Sequence, residues 1–166
     1  MSRPAPEIVT PHLLRGWPLP ELKADEESRG RVLIVGGSRD NPGGALLAAE
    51  AALRVGAGKV QVVTTASTAT ALAVALPEGM VRGVSEDSAG ELTLEAADIA
   101  VELAQKCDAV LLGPGLGDPE KACALTARIL PELRSSVVVD AWRWPPSPRI
   151  RPASGICRAG RSSRPT

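Results

Sequence analysis

An apolar run that breaks into a glycine loop and re-enters a long alanine-rich stretch leaves a chain few architectures to choose from. Val32 to Gly58, VLIVGGSRDNPGGALLAAEAALRVGAG, is such a segment. Val32, Leu33, Ile34 and Val35 form a continuous aliphatic run, the pattern of a strand buried on both faces in a parallel sheet. The loop from Gly37 to Pro42 follows, then a helix from about Gly43 to Val55. Gly43 and Gly44 leave the backbone free to approach a ligand closely. Main-chain N–H groups at the start of the helix attract anions, so this loop is the leading candidate for a ligand site.

The helix carries Glu50 and Arg54 one turn apart, a favourable exposed pair. Its end at Gly56 and Gly58 offers the left-handed residue that closes many helices. Lys59 to Val63 then reads as a second strand, giving a strand–helix–strand unit with parallel strands. The alternation continues. Ser67 to Leu76 is a short helix with Ser67 as its expected N-cap and Pro77 as its stop, and Met80 to Val84 is a short strand. Ser85 to Gly90 reads as a polar turn, and Thr93 to Lys106 as an amphipathic helix with Ile99 and Leu103 on its core side.

Asp108 to Leu112 is a further apolar strand that runs straight into Gly113-Pro114-Gly115-Leu116-Gly117. Asp118 followed by Pro119 is the pairing of N-cap and first helical residue, for a helix reaching about Leu130, where Pro131 ends it. Val137 to Asp140 is the last strand and is expected to be buried. The expected fold class is α/β, a mostly parallel central sheet flanked by helices. Three segments are expected: a Pro-rich lead-in at 1–30, a folded body at 31–141 and an Arg/Pro-rich tail at 142–166.

Composition narrows the function. With no Phe, no Tyr and only Trp17, Trp142 and Trp144, the core must be built from Ala, Val and Leu, and no aromatic platform exists for stacking bases. The net charge of zero conceals a division: six of the 19 basic residues are arginines within 142–166, which holds no acid, so the rest of the chain carries 13 basic against 19 acidic groups. An acidic body gives no support to a nucleic-acid or membrane-surface role. Cys107, Cys123 and Cys157 are far apart, and His12 is the only histidine. No metal-ligand spacing results, and free thiols in a reducing cytoplasm are the expectation. The first twenty residues show no signal-peptide pattern, and no run approaches the roughly 20 apolar residues that span a bilayer. The tail, with five prolines and six arginines in 25 residues, should not join the sheet. It reads either as a basic arm or as a non-native end such as a reading-frame change produces, and the second is the expectation.

The glycine clusters match neither generic nucleotide motif. A dinucleotide fingerprint counted from Gly113 would need its third glycine at Asp118, and no Gly-Lys-Ser/Thr follows any cluster. Two glycine loops at the carboxyl ends of parallel strands nevertheless point to a shared crevice. Taken in order, the Val32 segment extended through KVQVV, then LPEGMV at Leu76 to Val81, VLLGPGLG at Val110 to Gly117 and VVVD at Val137 to Asp140 resemble the N-terminal half of the NAD(P)H-hydrate dehydratases. These are carbohydrate-kinase-related enzymes of the ribokinase-like superfamily. The resemblance covers about residues 12–141.

That resemblance implies a ribokinase-like layered fold and a lyase that repairs the S epimer of hydrated NADH or NADPH. ADP or ATP with Mg²⁺ would phosphorylate the hydrate's hydroxyl, and phosphate would then leave as the ring double bond re-forms. Gly43, Gly44 and Ala45 in the first loop, with Gly115 and Gly117 in the second, hold the family's substrate-side positions and would contribute backbone contacts and close packing. Elsewhere the sequence departs from the family. The acidic helix start, the Thr-Pro-His-Pro-Gly-Glu-like loop and the Gly-Thr-Gly-Asp segment that supplies the base have no counterpart in 142–166, so no catalytic base is carried over. Asp140, an acid at a strand end, is the candidate to orient substrate or a hydrated Mg²⁺, with a cap as the alternative; for Asp40, turn chemistry is the preferred reading.

The expected function is therefore an NAD(P)H-hydrate dehydratase impaired by truncation, or a non-catalytic nucleotide-binding or interaction module made from half of such a domain. Its expected partner is a small nucleotide, with neither nucleic acid nor membrane. The last strand would be an open sheet edge, from which homo-oligomers by edge pairing are expected.

Overall fold

The computed structural model describes residue 8, residues 10–16 and residues 29–140. The expectations for the tail 142–166, Cys157 and all three tryptophans lie outside the described residues. After a short helix, α1 (Pro11–Arg15), in which His12 is exposed, the elements are β1 (Arg31–Val35), α2 (Gly43–Arg54), β2 (Lys59–Thr65), α3 (Ala66–Ala75) and β3 (Met80–Val84). They continue with α4 (Ala96–Ala104), β4 (Ala109–Leu112), α5 (Pro119–Ile129), a 3₁₀ turn (Leu130–Glu132) and β5 (Ser136–Val139).

The five strands form one sheet in the order β3-β2-β1-β4-β5, and every pairing is parallel. The α/β class read from the alternation of apolar runs is thus the observed one. β1 is central, with Val32 opposite Val60 on one side and Ala109 on the other. Its aliphatic run feeds both faces. Ile34 packs with Ala45 and Ala49 of α2 and with Val60 and Val62. Leu33 and Val35 pack with Val110, Leu112, the α4 alanines and Leu125 and Ile129 of α5. The chain steps outward from β1 to β2 to β3, then crosses back to β4 and β5. This reversal falls between β1 and β4, which places the two glycine loops side by side at the carboxyl edge.

Three local readings are corrected. First, α3 begins at Ala66 with Thr65 as its N-cap residue, and Ser67 is not the cap. The Ser67 N–H and hydroxyl both donate to Glu86 Oε2, at 3.1 and 2.6 Å, so a distant carboxylate supplies the acceptor that a local cap would have given. Second, α4 starts at Ala96 rather than Thr93, whose N–H and hydroxyl are tied to the Ser85 carbonyl. Its fully buried face is Ala96, Ala97, Ala100 and Ala104, with Ile99 and Leu103 only partly buried beside it. Small side chains let this helix lie close on the sheet. Third, β5 is an edge strand on which only Val137 is buried, while Val138 and Val139 are 48% and 36% exposed. Among the described residues no strand lies beyond it.

Two termini follow their residues. Gly56, with φ +101°, closes α2 in the left-handed conformation. Asp118 caps α5, its Oδ1 accepting from the Glu120 and Lys121 N–H groups at 2.9 and 3.1 Å. Asp118→Ala should lower unfolding free energy by about 1 kcal/mol, read as a shift in the urea midpoint without a change in slope. Glu50 and Arg54 form the expected pair at 3.6 Å, and between two exposed side chains it contributes little.

Candidate functional site

The loops that follow β1 and β4 are in direct contact. The Gly37 N–H donates to the Pro114 carbonyl at 2.7 Å, and the Gly113 N–H to the Val35 carbonyl at 2.9 Å. Where the loops cross, a Cβ added to Gly44 would sit 2.7 Å from the Gly115 nitrogen, and one added to Gly115 would overlap the Asn41 carbonyl oxygen. Gly115 also has φ +77°, a left-handed backbone that side chains disfavour. Both glycines are thus required by the packing of one loop on the other.

Beside this crossing opens a cleft of about 910 Å³, lined by Ser38, Asp40, Asn41, Ala89, Glu91 and residues 117–121. Its volume falls within the range of small-molecule sites. Its third wall is a hairpin, residues 86–92, closed by an antiparallel bridge between Glu86 and Leu92. The Arg39 N–H donates to the Gly90 carbonyl at 2.9 Å and its guanidinium to the Ser88 carbonyl at 3.0 Å. On the other side Lys121 Nζ meets Asp87 Oδ2 at 2.6 Å, and the Gly117 N–H donates to Glu91 Oε2 at 3.2 Å. The hairpin is therefore attached to both glycine loops.

Charge reinforces these attachments. The hydrogen bond from Lys121 leads the causes that hold the Asp87 carboxyl below the ordinary carboxylate range, and the same bond raises Lys121. Glu86 is lowered too, first by the Ser67 hydroxyl, then by its N–H. A carboxylate whose folded value is lowered stabilises the fold above its unfolded value, and that stabilisation is lost as pH falls through the folded one. The hairpin attachment should therefore weaken as pH falls below the ordinary carboxylate range. Asp87→Asn should flatten the acid limb of a plot of urea midpoint against pH. Lys121, being raised, loses its contribution only as the solution becomes more alkaline than its raised value.

The residues singled out in the sequence are distributed as follows. Gly43 is exposed and is not among the residues lining the cleft, with open space where a Cβ would stand, and α2 has no side-chain cap on its first turn. Gly44 and Gly115 meet at the crossing, and Ala45 is fully buried beneath it, near Gly37. Gly117 lines the cleft against Glu91. Asp40 also lines the cleft, within the turn in which the Asn41 N–H meets the Ser38 carbonyl at 3.3 Å. Asp140 stands apart from the lining, exposed at the end of β5, its N–H bonded to the Leu112 carbonyl at 2.8 Å. Arg39, Asp87, Glu91 and Lys121 were not marked by any sequence motif. Their one sequence signal is the density of polar residues in 85–91, and it does not reveal their partners.

Among the described residues no group of three or more His, Cys, Asp or Glu converges as a metal site. Cys107 is buried, its thiol pushed up chiefly by that burial, and Cys123 is half-buried; both are free. Nor does the cleft have the character of a phosphoryl-donor site. Its carboxylates, Asp40, Glu91, Asp118 and Glu120, face a single ammonium, Lys121, and protein carboxylates already occupy the Gly117, Glu120 and Lys121 N–H groups.

The family model for NAD(P)H-hydrate dehydratase matches residues 32–142. The ADP-dependent (S)-NAD(P)H-hydrate dehydratase of Xanthomonas campestris is 43% identical over 157 residues, 93% of this chain and 53% of that protein. The protein of that name from Lactiplantibacillus plantarum is 34% identical over 101 residues, 61% of this chain and 33% of its own length. Among solved structures, the ADP/ATP-dependent NAD(P)H-hydrate dehydratase from Bacillus subtilis, co-crystallised with ATP/Mg²⁺, superposes with TM-score 0.59 at 28% identity, over 74% of this chain and 42% of that one. A ribokinase-like superfamily protein of Enterococcus faecalis gives 0.60 at 25% identity, over 75% and 40%. The chain spans about half the length of the Xanthomonas relative. On its parallel sheet, its paired glycine loops and the match across 32–142, the chain belongs to the NAD(P)H-hydrate dehydratase family, with a ribokinase-like fold.

Proposed function

We propose that this chain carries the substrate-side loops of an ADP- or ATP-dependent (S)-NAD(P)H-hydrate dehydratase, which takes the hydrated nicotinamide nucleotide in the cleft beside the crossing. The observation that carries the reading is the uncapped first turn of α2, presented with open space at Gly43 where the strand order reverses. Anionic groups are favoured at such a turn. Gly43 would meet the ligand through its backbone, while Gly44, Ala45, Gly115 and Gly117 shape the site through packing. The nucleotide donor and Mg²⁺ of the family, when bound, would supply phosphoryl transfer. Among the described residues no group of three or more His, Cys, Asp or Glu could hold the metal, and none is given a part in that step. Asp140, which stands outside the cleft, is assigned to closing the β4–β5 edge.

The test uses hydrated NADPH, ADP and Mg²⁺ with the full chain. Saturable binding of the hydrate with no recovery of dihydronicotinamide absorbance above a blank is the expected result. Absence of binding would overturn the reading, and turnover would show that the chain retains chemistry. The second reading, a nucleotide-binding module without catalysis, is favoured by the span of the chain, about half the length of the Xanthomonas relative, and saturable binding of unmodified NADPH as tight as that of the hydrate would select it.

The exposed edge of β5 supports a homo-oligomer through strand pairing. Light scattering should show dimers increasing with concentration, and Val138→Lys should keep the chain monomeric. The free thiols support a cytoplasmic location, and no helix among the described residues is long and apolar enough to cross a membrane.

A further inference from the structure

Glu91 is 9% exposed, a degree of burial that carboxylates reach only with partners. The hairpin delivers it there. Asp87 Oδ1 accepts the Ala89 and Glu91 N–H groups at 2.9 and 3.1 Å, and the Asp87 N–H returns to the Glu91 carbonyl at 3.0 Å. This doubly closed turn is fixed from outside by Lys121 on Asp87 and by Arg39 on Ser88 and Gly90. From it the Glu91 side chain reaches the second glycine loop, where Oε2 accepts the Gly117 N–H and Oε1 lies so close that a Cβ on Gly117 would overlap it.

We infer that Glu91 is a positioning residue of the cleft: its carboxylate fixes the second glycine loop by holding the Gly117 N–H, and keeps that amide from serving a bound phosphate. The Gly117 amide lies immediately before Asp118, the N-cap residue of α5. Asp118 already takes the N–H groups of Glu120 and Lys121, so Glu91 adds a third amide at that terminus held by the protein's own carboxylates. A hydrogen bond to a charged acceptor is worth more than one between neutral groups, and the same negative charge repels a phosphate from the spot. A dinucleotide in the cleft is then left with the first loop for its phosphates. This consequence rests on the dinucleotide reading above; the hold on Gly117 does not.

The experiment follows backbone amides of the ¹⁵N-labelled full chain by NMR. Without ligand, Glu91→Ala should accelerate Gly117 amide exchange by about tenfold or more, the scale of a lost charge-assisted bond. Glu91→Gln, which keeps an acceptor in place, should stay close to the parent. If Glu91→Ala does not fold, Glu91→Asp, which withdraws the carboxylate by one methylene, carries the same expectation. On adding NADPH to the parent, amides of residues 43–45 should shift while Gly117 stays, and in Glu91→Ala the Gly117 amide should shift as well. Unchanged Gly117 exchange in both Glu91→Ala and Glu91→Asp, or a Gly117 shift with NADPH in the parent, would overturn the inference. If NADPH moves no amide in any variant, the dinucleotide reading fails, and the exchange rates still decide what Glu91 does.

Discussion

Gly115→Ala is expected to destabilise the chain by about 2–4 kcal/mol and to abolish ligand binding in the cleft. Two costs add. The left-handed backbone at φ +77° disfavours any side chain by about 1–2 kcal/mol. The new methyl must also displace the Asn41 carbonyl, which it would overlap, along with Gly37, whose Cα lies 3.2 Å away, and such overpacking costs about 1–3 kcal/mol. The strain falls on backbone of the first loop, which cannot swing aside as a long side chain does. Urea denaturation followed by circular dichroism measures the first effect, and NADPH-hydrate titration the second. Gly43→Ala is the control: at a helical position with open space, the same change should leave stability equal or slightly raised.

Ile34→Ala should cost about 2–5 kcal/mol, a large part of the roughly 5–15 kcal/mol that holds a domain folded. Ile34 has no exposure, and its neighbours Ala45, Ala49, Val60 and Val62 are themselves buried on regular elements, so the site can collapse only slightly into the space left. Leu47, 68% exposed on α2, should tolerate alanine to within about 0.5 kcal/mol. The contrast between the two urea midpoints checks that the β1–α2 interface, not aliphatic content alone, carries the stability.

The architecture could be read from the chain because its signals are local. The run at Val32–Val35 has to be buried on both faces, Asp118-Pro119 can start only a helix at that point, and Gly56 closes one. What escaped depends on partners distant in sequence. Ser67 looks like a cap until Glu86, beyond a whole helix and strand, takes its hydroxyl. Residues 85–90 look like a solvated turn, since nothing in their order shows Arg39 reaching them from the first loop and Lys121 from α5. Gly44 and Gly115 suggested room for a ligand, yet the first occupant of that room is the opposite loop. Ile99 and Leu103 lie on the core side of α4 as read, partly buried against the core, while the most deeply buried positions of that helix are its alanines.

The backbone contact between Gly44 and Gly115 makes the two loops a single heritable unit. A substitution on one strand's loop alters the fitness of substitutions on the other, and the energies of paired changes there should fail to add by about 0.5–3 kcal/mol. Lineages of this family would then change the crossing in concerted pairs or leave it alone, and graft experiments that exchange one loop between relatives should succeed only when its counterpart travels with it.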